Sequence, residues 1–207
     1  MDERLIRHDV IVFDVGNVLV RFDPKRIAKS FGLSDELYRG VFESGLWLWM
    51  DTGLMTVGAL ADLMCAAAHT DSREDYLKVA SLMEGFVREE EPLSGSLMLP
   101  ELKRAGKRLY YLTNYATPMF ERTMERFPFF RYFDGGVISG REHIIKPMPR
   151  IYELLCVRYG FRPQEALFLD DNADNIAAAE KLGFNVWHYQ GEPIESSDSD
   201  RKDGDDP

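Results

Sequence analysis

Carboxylates, a hydroxyl, an amide and a lysine recur at four places where the chain leaves an apolar run. These are Asp14, Thr113-Asn114, Lys146-Pro147, and Asp170-Asp171 with Asp174. Brought to one edge of a sheet, they fit one chemistry. Two or three carboxylates hold Mg²⁺ through oxygen ligands. A hydroxyl, an amide and a helix N-terminus hold phosphate oxygens. A lysine neutralises phosphate and nearby carboxylates, and a carboxylate can act as nucleophile to give an aspartyl-phosphate. Singly, each has an ordinary structural use: Lys146 as a solvated surface lysine, Thr113-Asn114 as a turn, Asp170-Asp171-Asn172 as a helix cap. Their joint occurrence at consecutive strand ends points to function.

The elements that must position them follow from the hydrophobic pattern. Residues 10–20 form a β-branched and aromatic run broken by one carboxylate, Asp14, and then by Gly16-Asn17. Such a run fits a strand buried on both faces, and Gly16-Asn17 lets the chain turn away at its C-terminal edge. Further strands are expected at 108–112, 136–139, 166–169 and 185–189. Helices are expected between them at 97–105, 117–126, 149–159 and 172–182, with Gly106, Gly160 and Gly183 placed to end three of these. Strands alternating with helices imply a parallel sheet with right-handed crossovers. The ligand edge of such a sheet is the one where the strands end.

Residues 22–92 carry no strand pattern. Asp23-Pro24 reads as a cap and first helical position for a helix to about Ser30. Ser34 can cap a helix running to about Ser44, Thr56 one covering Leu60, Leu63, Met64 and Ala67, and Ser72 with Asp75 resembles a capping box. Trp47-Leu48-Trp49-Met50 is an aromatic patch leading into Asp51-Thr52-Gly53. The expected organisation is therefore an α/β core from residues 1–21 and 93–190, a helical cap from 22–92 over the ligand edge, and an acidic, disordered tail from 191–207.

The net charge of −10 excludes a nucleic-acid ligand as the first expectation, because phosphate contacts need clustered Lys and Arg. An anionic substrate in a locally positive pocket remains compatible with it. Cys65 and Cys156 sit in separate apolar stretches and read as buried thiols in a reducing compartment. The first eight residues lack the apolar region of a signal peptide, and no run of 18 apolar residues is present. A cytoplasmic protein without membrane association is expected, with its oligomeric state unspecified.

With those residues in view, the sequence resembles the haloacid dehalogenase superfamily in its phosphatase branch. Phe13-Asp14-Val15-Gly16-Asn17-Val18-Leu19 is similar to the first motif of that family, Leu112-Thr113-Asn114 to the second, and Lys146-Pro147 to the third. Phe168-Leu169-Asp170-Asp171-Asn172-Ala173-Asp174-Asn175 is similar to the fourth. The forms of the first and fourth motifs, and the helical block after the first strand, resemble small sugar-phosphate phosphatases acting on α-D-glucose 1-phosphate. The resemblance implies a Rossmann-like three-layer core with a helical-bundle cap and a Mg²⁺ cofactor. It makes Asp14 the nucleophile and a metal ligand, with the Gly16 carbonyl a second ligand. It makes Thr113 and the Asn114 backbone phosphate binders, and Lys146 a bridge between phosphate and nucleophile. Asp171 becomes a direct metal ligand and Asp170 a support of the metal shell, while Asp174 and Asn175 orient the loop.

One position departs from the family. Two residues after the nucleophile the superfamily usually has a second Asp, which protonates the leaving group and later activates water. Here that position is Gly16. The proton must then come from water, from the cap, or from His143 near Lys146. The expected activity is hydrolysis of a small phosphorylated metabolite, a sugar phosphate such as a sugar 1-phosphate. The alternatives are a carbon–halide hydrolase of the same fold, needing no metal, and a catalytically silent binding module. Trp47 and Trp49 are expected to pack the cap, with one of them facing substrate as the alternative.

Overall fold

The computed structural model describes residues 2–194. Its centre is a five-stranded, all-parallel sheet in the order β3-β2-β1-β4-β5. The strands are β1 (Val10–Phe13), β2 (Arg108–Thr113), β3 (Gly135–Ile138), β4 (Ala166–Asp170) and β5 (Asn185–His188). β1 lies in the middle and is buried on both faces, as its unbroken apolar run requires.

Alternate residues of each strand feed two cores. Ile11, Phe13, Leu109, Tyr111, Leu167 and Leu169 face one way, against α7 (Ser94–Arg104) and α8 (Thr117–Arg126). Val10, Val12, Tyr110, Leu112 and Phe168 face the other, against α10 (Pro149–Tyr159) and α11 (Ala173–Lys181). The result is a three-layer Rossmann-like α/β fold. Both cysteines are free and buried.

Between β1 and α7 the chain is helical: α2 (Pro24–Ser30), α3 (Asp35–Tyr38), α4 (Trp47–Thr52), α5 (Val57–Ala67) and α6 (Arg73–Gly85). Asp23, Ser34, Thr56 and Ser72 cap α2, α3, α5 and α6 through their side chains. A short helix not foreseen in the sequence, α1 (Glu3–Arg7), precedes the sheet under the Asp2 cap.

Two local expectations are refined and one is corrected. The helix after Ser34 reaches Ser44 but changes form on the way. It passes at Arg39 into a π-helical turn (Arg39–Glu43) that ends at Ser44. There Gly40 lies against the α5 backbone, where a Cβ would collide with the Met64 carbonyl oxygen. The aromatic patch at Trp47 is a helix, α4, ended by Gly53 in the left-handed conformation (φ 65°). The expected tail starts too early: the Gly191 amide donates to the Asn17 carbonyl at 2.7 Å, the Ser94 amide to the Glu192 carbonyl at 2.8 Å, and Pro193 pairs with Leu93. Backbone pairing with the loop after β1 and with the start of α7 thus holds residues 191–193, despite their polar composition. The rest of that expectation, residues 195–207, lies outside the described residues. Among the described residues, no helix is long and apolar enough to cross a membrane.

Candidate active site

The C-terminal ends of β1, β2 and β4 open into a cavity of about 250 Å³. Its walls come from the loops after these strands on one side and from the helical insertion on the other.

Asp14 is the first residue past β1. Its amide donates to the Leu169 carbonyl at 2.8 Å, which keeps it in line with β4. The Lys146 ammonium lies between two carboxylates, 2.7 Å from Asp14 Oδ1 and 2.7 Å from Asp170 Oδ2. All three residues are buried. Burial pushes the Asp14 carboxyl up, Lys146 pulls it back, and Asp170 pushes it up further. Burial alone would lower the Lys146 pKa, but the two carboxylates outweigh it and raise it, so the lysine stays protonated. A lysine buried with one carboxylate on each side is not the solvated surface residue its sequence position also allowed.

Backbone and amide groups fix each charged partner. Asn114 clamps the lysine loop, accepting from the Lys146 amide at 2.7 Å and donating to the Lys146 carbonyl at 3.0 Å. Asn175 Nδ2 donates to both oxygens of Asp170, at 3.0 and 3.1 Å, and the Asn172 amide donates to Oδ1 at 2.8 Å. Asn172 caps α11, accepting from the Asp174 and Asn175 amides. Asp174 therefore belongs to the helix start and does not reach the carboxylate cluster, whereas Asn175 orients Asp170.

One oxygen each of Asp14, Asp170 and Asp171 lies within 4.8 Å of the others. A set of carboxylate oxygens, with no histidine or thiolate in the group, fits a hard divalent cation such as Mg²⁺. Asp14, Gly16 and Asp171 line the cavity; Asp170 stands behind them with its oxygens occupied. Burial raises the pKa of Asp171, opposed by a hydrogen bond from Asn17 Nδ2 at 3.1 Å.

The structure does not bring every expected residue to the cavity. Thr113 is buried but is not part of the lining. It is still in the sheet, in register with Ile138, and the first residue past the ladder is Asn114. His143 is exposed, and its Nδ1 bonds the Thr52 carbonyl at 2.8 Å, away from the cavity. Trp47 both packs against Phe22, Phe42 and Phe86 and faces the cavity, whereas Trp49 is exposed.

Three further residues at the site have no role assigned by the sequence motifs. Asn17, in the left-handed conformation (φ 54°), accepts from the Phe22 amide at 3.0 Å while holding Asp171. Its position at a turn is the only signal the sequence carries for it. Asp51, at the end of α4, and Glu90 enter the cavity wall from the insertion. Burial and the Asp14 charge push the Asp51 carboxyl up to about 8. Burial pushes Glu90 up to about 7 against the hydrogen bonds it receives from Tyr115 and Thr123. Nothing in the local sequence marks either as buried.

A parallel sheet with a carboxylate–lysine cluster at its strand ends and a helical block after the first strand defines a Rossmann-like α/β class of protein. A family model described as haloacid dehalogenase-like hydrolase matches residues 8–183, and the chain belongs to that family. It is 34% identical over 99 residues to (S)-2-haloacid dehalogenase 4A of Burkholderia cepacia, covering 47% of this chain and 43% of that protein. It is 33% identical over 91 residues to a sesquiterpene phosphatase of Aspergillus oryzae, covering 44% of this chain and 46% of that one. These matches thus span less than half the length of either relative. Among solved structures, a HAD family enzyme of Bacteroides thetaiotaomicron in a magnesium complex superposes with a TM-score of 0.68. It is 21% identical and the match covers 95% of this chain and all of that one, which is a likeness of fold.

Proposed function

We propose that this protein is a Mg²⁺-dependent phosphomonoester hydrolase that works through an aspartyl-phosphate at Asp14. Its substrate is a small phosphorylated metabolite, a sugar phosphate such as a sugar 1-phosphate. The observation that carries this reading is the third carboxylate. Asp14 and Lys146 would suffice for displacement at carbon, but Asp171 adds a further negative charge at the same cavity. That charge suits a site where a dication and a phosphoryl group are held together.

Asp14 presents a carboxylate oxygen for in-line attack on phosphorus, aligned by its backbone bond to Leu169. Lys146 neutralises the nucleophile as it approaches the phosphoryl oxygens and spreads charge to Asp170. Asn114 fixes the height of the lysine loop. Asp14 and Asp171, with the Gly16 carbonyl and with Asp170 behind, would hold Mg²⁺. When bound, the ion supplies the positive charge that keeps these carboxylates ionised and offsets the phosphoryl oxygens. Phe22, Trp47 and Phe86 give the insertion side of the cavity an aromatic wall against which the carbon face of a sugar ring can lie, with Glu90 and Asp51 beside it for hydroxyls.

A dehalogenase is the competing reading, favoured by the Burkholderia relative. A 2-haloacid brings its own carboxylate, yet Lys146 is the only cation among the cavity-lining residues, and two carboxylates already claim it. A screen of phosphorylated metabolites and of 2-haloacids, each with and without a chelator, tests the proposal. Phosphate release that stops with chelator is expected. Halide release unaffected by chelator would overturn it.

A further inference from the structure

If the phosphatase reading holds, on which this inference rests, something must protonate the leaving oxygen, and Gly16 has no side chain to do so. Four groups could be asked. His143 points its ring nitrogen at the Thr52 carbonyl and is outside the cavity. Glu90 lines the cavity, but the Tyr115 and Thr123 hydroxyls hold its two oxygens. Tyr115 is in turn engaged with Glu90 and Thr123. The fourth is Asp51. It is 7% exposed, it lines the same cavity as Asp14 and Lys146, and among the described residues no group hydrogen-bonds its carboxyl oxygens. A carboxyl buried without a partner is costly and is expected to be neutral. Burial pushes its pKa up, in agreement with this.

Its backbone, by contrast, is firmly held by the core rather than by the insertion alone. Ser139 Oγ donates to the Asp51 carbonyl at 2.6 Å and accepts from the Tyr115 amide at 2.8 Å. His143 bonds the next carbonyl, that of Thr52. Gly53 lies directly on Gly140, at a separation that no Cβ would permit. α4 is therefore pinned to the short helix after β3, α9 (Ser139–Glu142), at the residue whose side chain is left free to face the site.

We propose that Asp51 is the proton donor and acceptor of the reaction, supplied by the insertion in place of the absent side chain at Gly16. In the first step Asp14 Oδ forms a bond to phosphorus. The bond from phosphorus to the leaving oxygen breaks, and that oxygen takes the Asp51 carboxyl proton to leave as the alcohol. In the second step the Asp51 carboxylate takes a proton from water as the water oxygen attacks phosphorus. The bond from phosphorus to Asp14 breaks, orthophosphate leaves, and both carboxyls return to their starting states.

The test is kcat/KM, which reports the first chemical step, for an aryl phosphate series of graded leaving-group acidity and for one alkyl phosphate accepted by the wild type. Wild-type protein should show a shallow dependence on leaving-group acidity. Asp51→Asn should lose ~10²–10⁴-fold on the alkyl substrate and far less on p-nitrophenyl phosphate, so that the dependence becomes steep. Asp51 gives up no hydrogen bond in this change, so folding should be kept. A steep dependence in the wild type itself would overturn the proposal whether or not the variant folds, as would an unchanged slope in Asp51→Asn. Gly16→Asp in the Asp51→Asn background gives a further check, since a Cβ at Gly16 would meet no atom within 4 Å. It should recover alkyl phosphate hydrolysis and flatten the slope. Absence of both phosphatase activity and a phosphorylated Asp14 in the wild type would instead sink the phosphatase reading, and the role of Asp51 with it.

Discussion

The two walls of the cavity handle charge in opposite ways. On the sheet side, Asp14, Lys146 and Asp170 form a chain of ion pairs, the Asn172 amide and Asn175 Nδ2 donate to Asp170, and Asn114 holds the Lys146 backbone. On the insertion side, Asp51 and Glu90 are buried with no ion pair to their carboxyls among the described residues, beside three aromatic rings, and Arg126 reaches only the Glu90 backbone carbonyl. Buried charge has to be paired or given up. The sheet side pairs its nucleophile carboxylate with Lys146, an arrangement suited to a phosphoryl group. The insertion side pairs neither of its carboxyls with a cation, and burial pushes both up. Under the proposal for Asp51, nucleophile and acid thus differ in whether a cation lies against them.

The harshest way to break this contrast is to remove a charge from the sheet side. Asp14→Asn keeps shape but loses the nucleophile, and turnover should fall to background. Retention of more than a few per cent of wild-type turnover would refute the aspartyl-phosphate route. Beryllium fluoride, a mimic of the phosphorylated carboxylate, should inhibit the wild type.

A smaller loss is expected on the metal side. Asp171→Ala removes a cavity-facing oxygen ligand, and the Mg²⁺ concentration for half-maximal rate should rise by roughly tenfold or more. Asp174→Ala, whose backbone rather than side chain serves the α11 cap, should leave it nearly unchanged. Metal titrations of both variants check the order. Equal effects would mean that Asp171 is not a direct ligand.

On the insertion side, Trp47→Leu keeps bulk but removes the ring face. An aromatic contact contributes about 0.5–1.5 kcal/mol, so KM for a preferred sugar phosphate should rise by roughly two- to tenfold. The inhibition constant of orthophosphate, as product, should hold. A parallel rise in both would place Trp47 in the phosphate subsite instead.

The mildest probe is pH. Glu90 titrates at about 7 in the fold against 4.5 in its ordinary state. Between these values the folded chain keeps a proton that the unfolded chain releases, so the contribution is complete below 4.5 and is lost as pH rises through 7. At 1.36 kcal/mol per unit the loss is of order 3 kcal/mol. Asp51, also raised, adds a loss of the same sign at higher pH. Melting temperatures of Glu90→Gln from pH 5 to 8 should therefore fall less steeply than those of wild type. Parallel curves would show that Glu90 is ionised in the fold.

The sheet side is legible in the amino-acid sequence, and for a local reason. In a parallel sheet the residue that follows each apolar strand must emerge at the ligand edge. The positions of Asp14, Asn114 and Asp170-Asp171 are thus determined by the runs that precede them in sequence. Lys146, which follows no strand directly, needs its motif context. Thr113 and Asp170 are each the last residue of their strands, in register with Ile138 and His188, so the end of the ladder alone does not separate structural from site residues. The insertion side cannot be read this way. Asp51 sits in Asp51-Thr52-Gly53, which looks like an ordinary polar turn, and Glu90 stands in Arg88-Glu89-Glu90-Glu91, a stretch that looks solvated. Their burial depends on helices docking across some tens of residues, Gly53 onto Gly140 and Tyr115 onto Glu90. Sequence alone determined which groups could perform phosphoryl chemistry and the order of the elements that carry them. Tertiary packing decided which other carboxyls lose access to water, and therefore which of them can hold a proton at the site.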